Sequence, residues 1–218
     1  MAVSRVLSVN VARPRPNPAR ASKVTGIGKV PTDDAVHVRP PGPLRKGHGS
    51  GLTGDVIGNM KLHGGDDQAV YAYAREDLDR WQTTLRRSLA DGNFGENLTT
   101  SGVEVTGAVI GERWRVGTGG LLLEVTSPRT PCRTFASHLG VRGWIKTFTE
   151  AAIPGAYLRV IEPGPVRAGD GIEVVDRPDS DVTVGLVFRA LFGEPDLLSR
   201  LHDVEALPEE IRKRAARV

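Results

Sequence analysis

The stretch AYLRVIEPGPVRAGDGIEVVDRP, residues 156–178, predicts three short strands that are separated by two tight turns. Pro163-Gly164 and Gly169-Asp170 are dipeptides typical of turns, because proline presets its own φ and glycine tolerates positive φ. Short strands joined by such turns pair most simply as antiparallel neighbours. The stretch therefore indicates a β-rich fold.

Further strands are predicted before this stretch. Residues 3–11 alternate, which places Val3, Arg5, Leu7, Val9 and Val11 on one face and Ser4, Ser8 and Asn10 on the other. Short strands are also predicted at residues 35–38, 103–105, 112–116 and 121–126. The RPRPNPAR segment, residues 13–20, is expected to stay out of any ladder because of its prolines. It is interpreted as a mobile surface loop or as a basic lid over an anion.

Helical spacing of apolar residues occurs in two places within residues 1–178 and again after them. Leu78, Trp81, Leu85 and Leu89 predict a helix over residues 75–89 with Trp81 in the core, and Trp144, Ile145 and Phe148 predict one that ends near residue 153. After Pro178, further apolar spacing and a final segment with acids first and bases last indicate short helices. We therefore predict a β-domain over residues 1–178 and a helical appendage over residues 179–218.

Composition limits the function classes. The 218 residues include 26 glycines and 15 prolines, which favours turns and short strands over a helical bundle. The net charge of +3 is small, so we expect a local cluster of arginines around an anionic ligand rather than a nucleic-acid polymer as partner. The absence of a long apolar run predicts no membrane span, and with no apolar signal segment at the N-terminus we expect a cytoplasmic protein.

The single cysteine, Cys132, lies in SPRTPCRTF, residues 127–135, directly after the apolar LLLEVTS. Pro128 and Pro131 fix two φ angles in the backbone just before it, while Arg129 and Arg133 favour a thiolate over a thiol. A thiolate is what a soft metal or a nucleophilic mechanism requires. An inert buried cysteine is the alternative interpretation, but the flanking arginines favour a functional thiol.

Three more clusters are candidates for binding. HGGDDQAVYAY, residues 63–73, offers His63 and glycine N–H groups to an anion, or else is a tight turn. FGENLT, residues 94–99, is a turn in which Asn97 bonds the backbone. In GAYLRV, residues 155–160, Tyr157 and Arg159 are predicted to share one strand face, so that Arg159 is either a phosphate contact or a solvated residue.

Taken in order, these pieces resemble the MOSC family, named for the C-terminal domain of molybdenum cofactor sulfurase. The resemblance runs from VLSVNV through Gly54-Asp55, HGGDDQAVYAY, FGENLT, IGERWRVG, SPRTPC and AYLRV to the turns at 163–164 and 169–170. The helical tail is similar to that of bacterial members that reduce N-hydroxylated bases. Two features depart from the family pattern: Gln68 stands where Lys or Arg is common, and no second acid precedes His63 in GDVIGNMKLHGG.

The resemblance implies a closed, mostly antiparallel β-barrel with peripheral helices, and it implies the molybdenum cofactor (Mo-molybdopterin) as ligand. It implies that Cys132 is the catalytic residue and the molybdenum ligand, and that electrons arrive from a separate redox protein. The residues that the motifs assign to cofactor binding are His63, Gly64, Gly65, Gln68, Tyr71, Asn97, Arg129, Arg133, Tyr157 and Arg159.

Three functions remain open at this point. The first is an oxidoreductase that reduces a small N-hydroxylated substrate. The second is a sulfur carrier that holds a persulfide on Cys132, and the third is a binding module that stores or delivers the cofactor without turnover. The substrate, the electron donor and the oligomeric state are not determined by the sequence.

Overall fold

The computed structural model of the chain describes residues 3–217, apart from the side chains of Ala21 and Ser22. The strands are β1 (Arg5–Val11), β2 (Arg15–Asn17), β3 (Arg20–Thr25), β4 (Val30–Thr32), β5 (Val36–Val38), β6 (Val70–Ala74), β7 (Leu98–Ser101), β8 (Arg113–Val116), β9 (Leu121–Pro128), β10 (Ala156–Glu162), β11 (Gly164–Val166) and β12 (Ile172–Asp176). The α-helices are α1 (Arg75–Leu85), α2 (Arg133–Leu139), α3 (Trp144–Ala151), α4 (Val184–Phe192) and α5 (Glu209–Ala215), with 3-10 helices at Asp66–Gln68 and Pro195–Leu201. None of the helices within the described chain has both the length and the apolar character needed to cross a bilayer.

The main sheet is a large open mixed sheet rather than the expected closed antiparallel barrel. Its eight strands lie in the order β12-β8-β9-β10-β6-β7-β1-β4. Strands β6 and β7 are parallel because α1, which connects them, carries the chain back to the edge of the sheet at which β6 begins. The start of β1 and the chain before β12 approach one another through an isolated bridge between Arg5 and Gly171 and through three backbone hydrogen bonds between residues 4–6 and 169–172. These contacts form no continuous strand ladder, so the sheet within residues 3–217 is not a closed barrel.

A β-bulge in β1 changes which of its side chains are buried. The register of β1 against β7 shifts between Val6 and Ser8. As a result Val6 and Val9 are both fully buried, whereas Leu7 is only half-buried. The simple alternation predicted for residues 3–11 is therefore wrong, because a bulge inserts one residue that the period of two does not count.

The proline-rich segment forms part of a hairpin, contrary to prediction. Strands β2 and β3 make a separate two-stranded sheet in which Pro16 lies opposite Val24. A proline is tolerated here because β2 has a neighbour on one side only, and an edge strand does not need every N–H. The expectation that residues 13–20 stay out of any ladder is therefore wrong.

Two other predicted boundaries need correction. Residues 103–105 do not form a strand; the strand lies earlier, at β7, and the chain turns at Gly102 with a φ of +73°. The helix predicted over residues 75–89 ends at Leu85, where Arg86 takes the left-handed conformation and closes the last turn. Trp81 is buried as predicted. The helix predicted to end near residue 153 is confirmed as α3.

An aromatic cluster joins α1, α2 and α3 to the sheet. It contains Tyr73, Trp81, Phe94, Phe135, Trp144, Phe148 and Phe188, all nearly or fully buried. Ring centroids lie 4.7 Å apart for Trp81 and Trp144 and 5.3 Å apart for Phe135 and Phe148, at steep interplanar angles. Edge-to-face pairs of this kind stabilise beyond the area they bury.

The C-terminal helices share this core with the sheet. Val184 and Val187 of α4 are fully buried in the same cluster as the strand residues, and Phe188 packs edge-on against Phe148 at 6.0 Å between ring centroids. The apolar stripes predicted for this part therefore pack on the β-region. The boundary between two domains at residue 178 stays a prediction.

Replacing Phe188 by alanine tests the anchoring of the C-terminal part. Phe188→Ala leaves a cavity beneath α4, and we expect a loss of about 3–5 kcal/mol in the free energy of unfolding. The matched control is Phe192→Ala on the same helix, where the ring is 39% exposed and the expected loss is about 1 kcal/mol or less. Urea unfolding at constant m-value measures both. Equal effects of the two substitutions would contradict the packing described above.

Candidate functional site

A cavity of about 300 Å³ opens beside the main sheet and brings together most of the predicted site residues. Its walls are the β2–β3 hairpin, residues 56–64 and residues 129–134, and Tyr71 of β6 and Tyr157 of β10 line its sheet side. The predicted residues that line it are His63, Gly64, Gln68, Tyr71, Asn97, Arg129, Cys132, Arg133 and Tyr157. Its volume lies at the lower end of the range for small-molecule pockets.

Cys132 lies in the short connection between strand β9 and helix α2. Strand β9 ends at Pro128, and Cys132 sits in extended conformation, with a φ of −142°, directly before α2. Its side chain is partly exposed to the cavity and partly packed against the aromatic cluster. Within residues 3–217, no group of three His, Cys, Asp or Glu side chains could hold a metal ion.

Arg129 is the most unusual residue of the cavity wall. It is only 6% exposed, and its guanidinium carbon lies 3.7 Å from the centroid of the Phe135 ring and 5.5 Å from that of Tyr71. Its Nη1 atom has no hydrogen-bond partner among the described residues. A buried donor without a partner costs about 1–3 kcal/mol, and an anion in the cavity would remove that cost. The unpartnered Nη1 of Arg129 is therefore available to an anion in the cavity.

Three titratable rings of the wall, those of His63, Tyr71 and Tyr157, are favoured in their uncharged form by shifts of their pKa. Burial, and next to it the charge of Arg129, lower the pKa of His63. Burial raises the pKa of both Tyr71 and Tyr157, against the opposing effect of Arg129. The Tyr71 hydroxyl donates to the carbonyl oxygen of Pro154 at 2.8 Å. The cavity thus combines buried cationic charge with neutral ring donors.

The predicted glycine donors are used within the protein. The N–H of Gly64 donates to Oε1 of Gln68 at 3.2 Å, and the N–H of Gly65 donates to the carbonyl oxygen of Gly49 at 3.0 Å. The role of Gly64 is steric, because a Cβ built there would lie 2.4 Å from the Gly49 oxygen. Gly65 does not line the cavity within the described chain. The expectation that these N–H groups cradle an anion is wrong.

Arg159 lies outside the cavity. Its guanidinium donates to Asp67 at 2.5 Å, to Glu124 at 3.0 Å and to the carbonyl oxygen of Ala206 at 3.1 Å. Burial alternates along β10 from Ala156 to Val160, with Tyr157 and Arg159 half-buried on either side of the buried Leu158, which agrees with the predicted shared face. Tyr157 lines the cavity, whereas the guanidinium of Arg159, two residues further along the strand, is held by partners outside the cavity.

Asp55 is the hub behind the cavity. Its fully buried carboxylate accepts from Lys29 Nζ at 2.5 Å, from Ser50 Oγ at 2.7 Å, from Asn97 Nδ2 at 2.9 Å and from the N–H of Ala12 at 2.9 Å. These donors come from four separate segments of the chain. Burial lowers the pKa of Lys29, while Asp55 opposes that shift. Gly54-Asp55 is predicted only as part of the family resemblance, and Lys29 is not predicted, since a lone lysine after TGIG carries no distinguishing signal.

Backbone segments approach closely where the hairpin meets residues 56–58. A Cβ at Gly26 would lie 1.9 Å from the carbonyl oxygen of Val56, and one at Gly58 would lie 2.3 Å from that of Val24. Only glycine fits at both positions. The base of the hairpin is therefore held against the 56–58 segment by direct backbone packing.

The rim of the cavity is basic. Arg20 and Lys23 from the hairpin and Arg133 from α2 line it and are exposed. Residues 13–24, 56–65 and 125–149, which contain most of the wall, hold lysines and arginines but no aspartate or glutamate. The alternative interpretation of residues 13–20, a basic lid over an anion, agrees with this placement.

Replacing Asp55 tests whether the hub holds these segments together. Asp55→Asn leaves the buried ammonium of Lys29 without its countercharge, and we expect a loss of about 3–5 kcal/mol in the free energy of unfolding. Glu162→Gln is the control, because Glu162 forms an exposed pair with Arg115 worth at most about 1 kcal/mol. The double substitution Lys29→Met with Asp55→Asn should recover part of the loss. An unchanged urea midpoint for Asp55→Asn would exclude this role.

Comparison with protein families matches residues 59–173 to the MOSC domain. Among curated proteins, the chain is 29% identical over 200 residues to YflK of Bacillus subtilis (strain 168), which covers 91% of this chain and 86% of YflK. It is 34% identical over 137 residues to protein YiiM of Escherichia coli (strain K12), covering 62% and 60% of the two chains.

A more distant relative is a fungal protein of Gibberella moniliformis (strain M3125 / FGSC 7600) named "Reductase". The two are 30% identical over 162 residues, which span 73% of this chain but 28% of the fungal protein. Among solved structures, YiiM from Geobacillus stearothermophilus superposes with a TM-score of 0.77 over 98% of both chains, at 23% identity. The last similarity shows a shared fold.

Proposed function

This chain belongs to the MOSC domain family, and from that premise we propose that its cavity binds the molybdenum cofactor, with Cys132 as the metal ligand, and that the loaded protein reduces N-hydroxylated compounds. The observation that carries the proposal is the juxtaposition of Cys132 with the unpartnered, buried Nη1 of Arg129 in one cavity. A thiolate suits a soft metal, and a buried guanidinium suits a phosphate.

The donor set fits the cofactor. Arg129 would bind the phosphate of the pterin, and the exposed Arg20, Lys23 and Arg133 at the rim add charge of the same sign. The neutral His63 and the protonated Tyr157 can donate hydrogen bonds to the polar edge of a pterin ring. Cys132 offers one protein ligand, which suits a metal whose other ligands come with its dithiolene.

The chemistry needs little from the protein beyond binding and orientation. When bound, the cofactor supplies a metal that exchanges two electrons with a substrate. In the overall reaction the N–O bond of a hydroxylamine breaks, two electrons and two protons are taken up, and an amine and water form. We propose a separate redox protein as the electron donor. The name of the fungal relative, "Reductase", supports a redox function.

The backbone around Cys132 favours a fixed ligand over a moving carrier. Pro128 and Pro131 restrict the loop, and Phe135 anchors the first turn of α2 in the aromatic cluster. A sulfur carrier has to present its thiol to a donor and then to an acceptor, which requires an accessible and mobile loop. The enclosed position of Cys132 therefore supports the role of ligand.

Metal analysis tests the assignment of Cys132. Protein from a host that makes the cofactor should contain molybdenum and pterin, and Cys132→Ser should lose molybdenum while its unfolding curve stays unchanged. Protein from a cofactor-deficient host gives the background.

Labelling of Cys132 separates the ligand from the carrier. With cofactor bound the thiol should resist iodoacetamide, and without it the thiol should react. Equal molybdenum in wild type and Cys132→Ser would remove Cys132 from the coordination sphere. Fast labelling of the cofactor-bound protein, or a cyanide-labile sulfur on Cys132 without reduction of any hydroxylamine, would establish sulfur transfer instead.

Substitutions of arginine test the anion site. Arg129→Ala removes the buried guanidinium and should weaken pterin retention about tenfold or more, since a hydrogen bond to a charged group contributes roughly 1.5–3 kcal/mol. Arg133→Ala, an exposed arginine of the same rim, should change retention by a factor of about three or less. Pterin is quantified by its fluorescence after oxidation and release. Comparable effects of the two substitutions would mean that general charge, and not Arg129, binds the ligand.

A further inference from the structure

The roof of the cavity is fastened to its wall by two side-chain pairs. The β2–β3 hairpin contributes Asn17, Arg20, Lys23 and Val24 to the lining, and it is a separate two-stranded sheet. Arg15 Nη2 lies 2.7 Å from Nδ1 of His138, and Asn17 Nδ2 donates to Oγ1 of Thr134 at 3.1 Å. Both partners lie on α2, the helix that begins next to Cys132.

The hydrogen bonds of His138 require one protonation state. A guanidinium can only donate, so Nδ1 has to accept from Arg15. The carbonyl oxygen of Asn93, 3.1 Å from Nε2, can only accept, so Nε2 has to carry the hydrogen. The neutral imidazole with its proton on Nε2 is the state that satisfies both contacts.

The sequence leaves room for Arg15 in this position. A Cβ at Gly28 would lie 2.1 Å from the guanidinium carbon of Arg15, so the side chain fits only because residue 28 is glycine. Gly28 does not have a positive φ, so the requirement there is one of space and not of backbone conformation. The Arg15–His138 contact is therefore supported by a second, independent feature of the chain.

We propose that Arg15 and His138 form a proton-sensitive latch that holds the β2–β3 hairpin closed over the cavity and releases it when His138 is protonated. Protonation places a hydrogen on Nδ1, where it faces the donor of Arg15, so the hydrogen bond is lost and two positive charges meet. The Asn17–Thr134 pair and the backbone packing of Gly26 against Val56 do not titrate. The Asn17–Thr134 pair remains as a second tether, and the packing of Gly26 against Val56 at the base acts as the hinge about which the hairpin loosens.

The charges around His138 set the direction of the response. Burial, and then Arg15, Arg129 and Arg87, lower the pKa of His138 from its ordinary value of 6.5, and the Asn93 carbonyl opposes them. These three arginines come from the hairpin, from the loop before α2 and from the segment after α1. The free energy of latching is fully present above the ordinary pKa and is lost as the pH falls through the lowered one. The roof is thus closed at neutral pH and loosened in acid.

The latch proposal depends on the proposed function in one respect only, which is the identity of the ligand that the hairpin encloses. Its movement can be measured on protein from a cofactor-deficient host, because the tethers are made by this chain alone. If the protein bound no molybdenum, the movement of the hairpin could still be measured. If the hairpin did not respond to pH, the metal analysis would still test the role of Cys132.

Hydrogen exchange of the hairpin amides, residues 15–25, tests the latch at pH 7.5 and pH 5.0 after correction for intrinsic exchange rates. Without the charge-assisted bond we expect exchange about tenfold faster at the lower pH, with β9 amides unchanged as internal reference. His138→Gln should abolish the pH dependence and retain protection, since its amide oxygen can accept from Arg15 and its N–H can donate to Asn93.

Three further variants separate the latch from general loosening. Gly28→Ala pushes Arg15 aside and should give at pH 7.5 the fast exchange that the wild type shows at pH 5.0; Arg13→Ala, an exposed arginine two residues before the latch, should not. Asn17→Ala removes the other tether and should raise exchange by the same factor at both pH values. Equal protection of the wild-type hairpin at the two pH values, or a pH dependence that survives His138→Gln, would overturn the proposal.

Discussion

The buried carboxylate of Asp55 is the contact on which the cavity depends. It accepts hydrogen bonds from the chain before the hairpin, from Lys29 after it, from Ser50 in the next loop and from Asn97 at the start of β7. A buried charge is tolerated only when it is paired and fully hydrogen-bonded, so these four segments have to meet at one place. Lys29 and Asn97, two of these donors, line the cavity, and the buried Arg129 lines it as well.

The parts of the fold that depend on local signals could be predicted from the sequence. The turns at Pro163-Gly164 and Gly169-Asp170 delimit β10, β11 and β12 as expected, and the apolar spacing located α1, α3 and α4. The bulges in β1 and β10 could not be predicted, because register depends on a partner strand that the local pattern does not contain. The hairpin was missed for a related reason: proline is excluded from a ladder only when both edges are paired.

The thiol of the candidate site and some of its charged residues could be predicted from the sequence. Cys132 and Arg129 stand out through their prolines and their position after an apolar strand, and both line the cavity. Arg159 shares a strand face with Tyr157, yet it pairs with Asp67 and Glu124, because acidic residues from distant parts of the chain lie beside it and the local pattern does not contain them. Lys29 and His138 are isolated residues in sequence, and their roles arise from neighbours more than 20 residues away.

The stretches without carboxylates around the cavity mouth influence the diffusion of charged molecules before they bind. Residues 13–24, 56–65 and 125–149 carry positive charge without internal compensation, so they create a field that extends about 8–10 Å into a solution of physiological ionic strength. Anions are drawn towards the mouth and cations are turned away during diffusion, which raises the encounter rate of the right class of molecule. Discrimination between ligands therefore begins as a kinetic property of the surface, and added salt weakens it while the contacts inside the cavity are left intact.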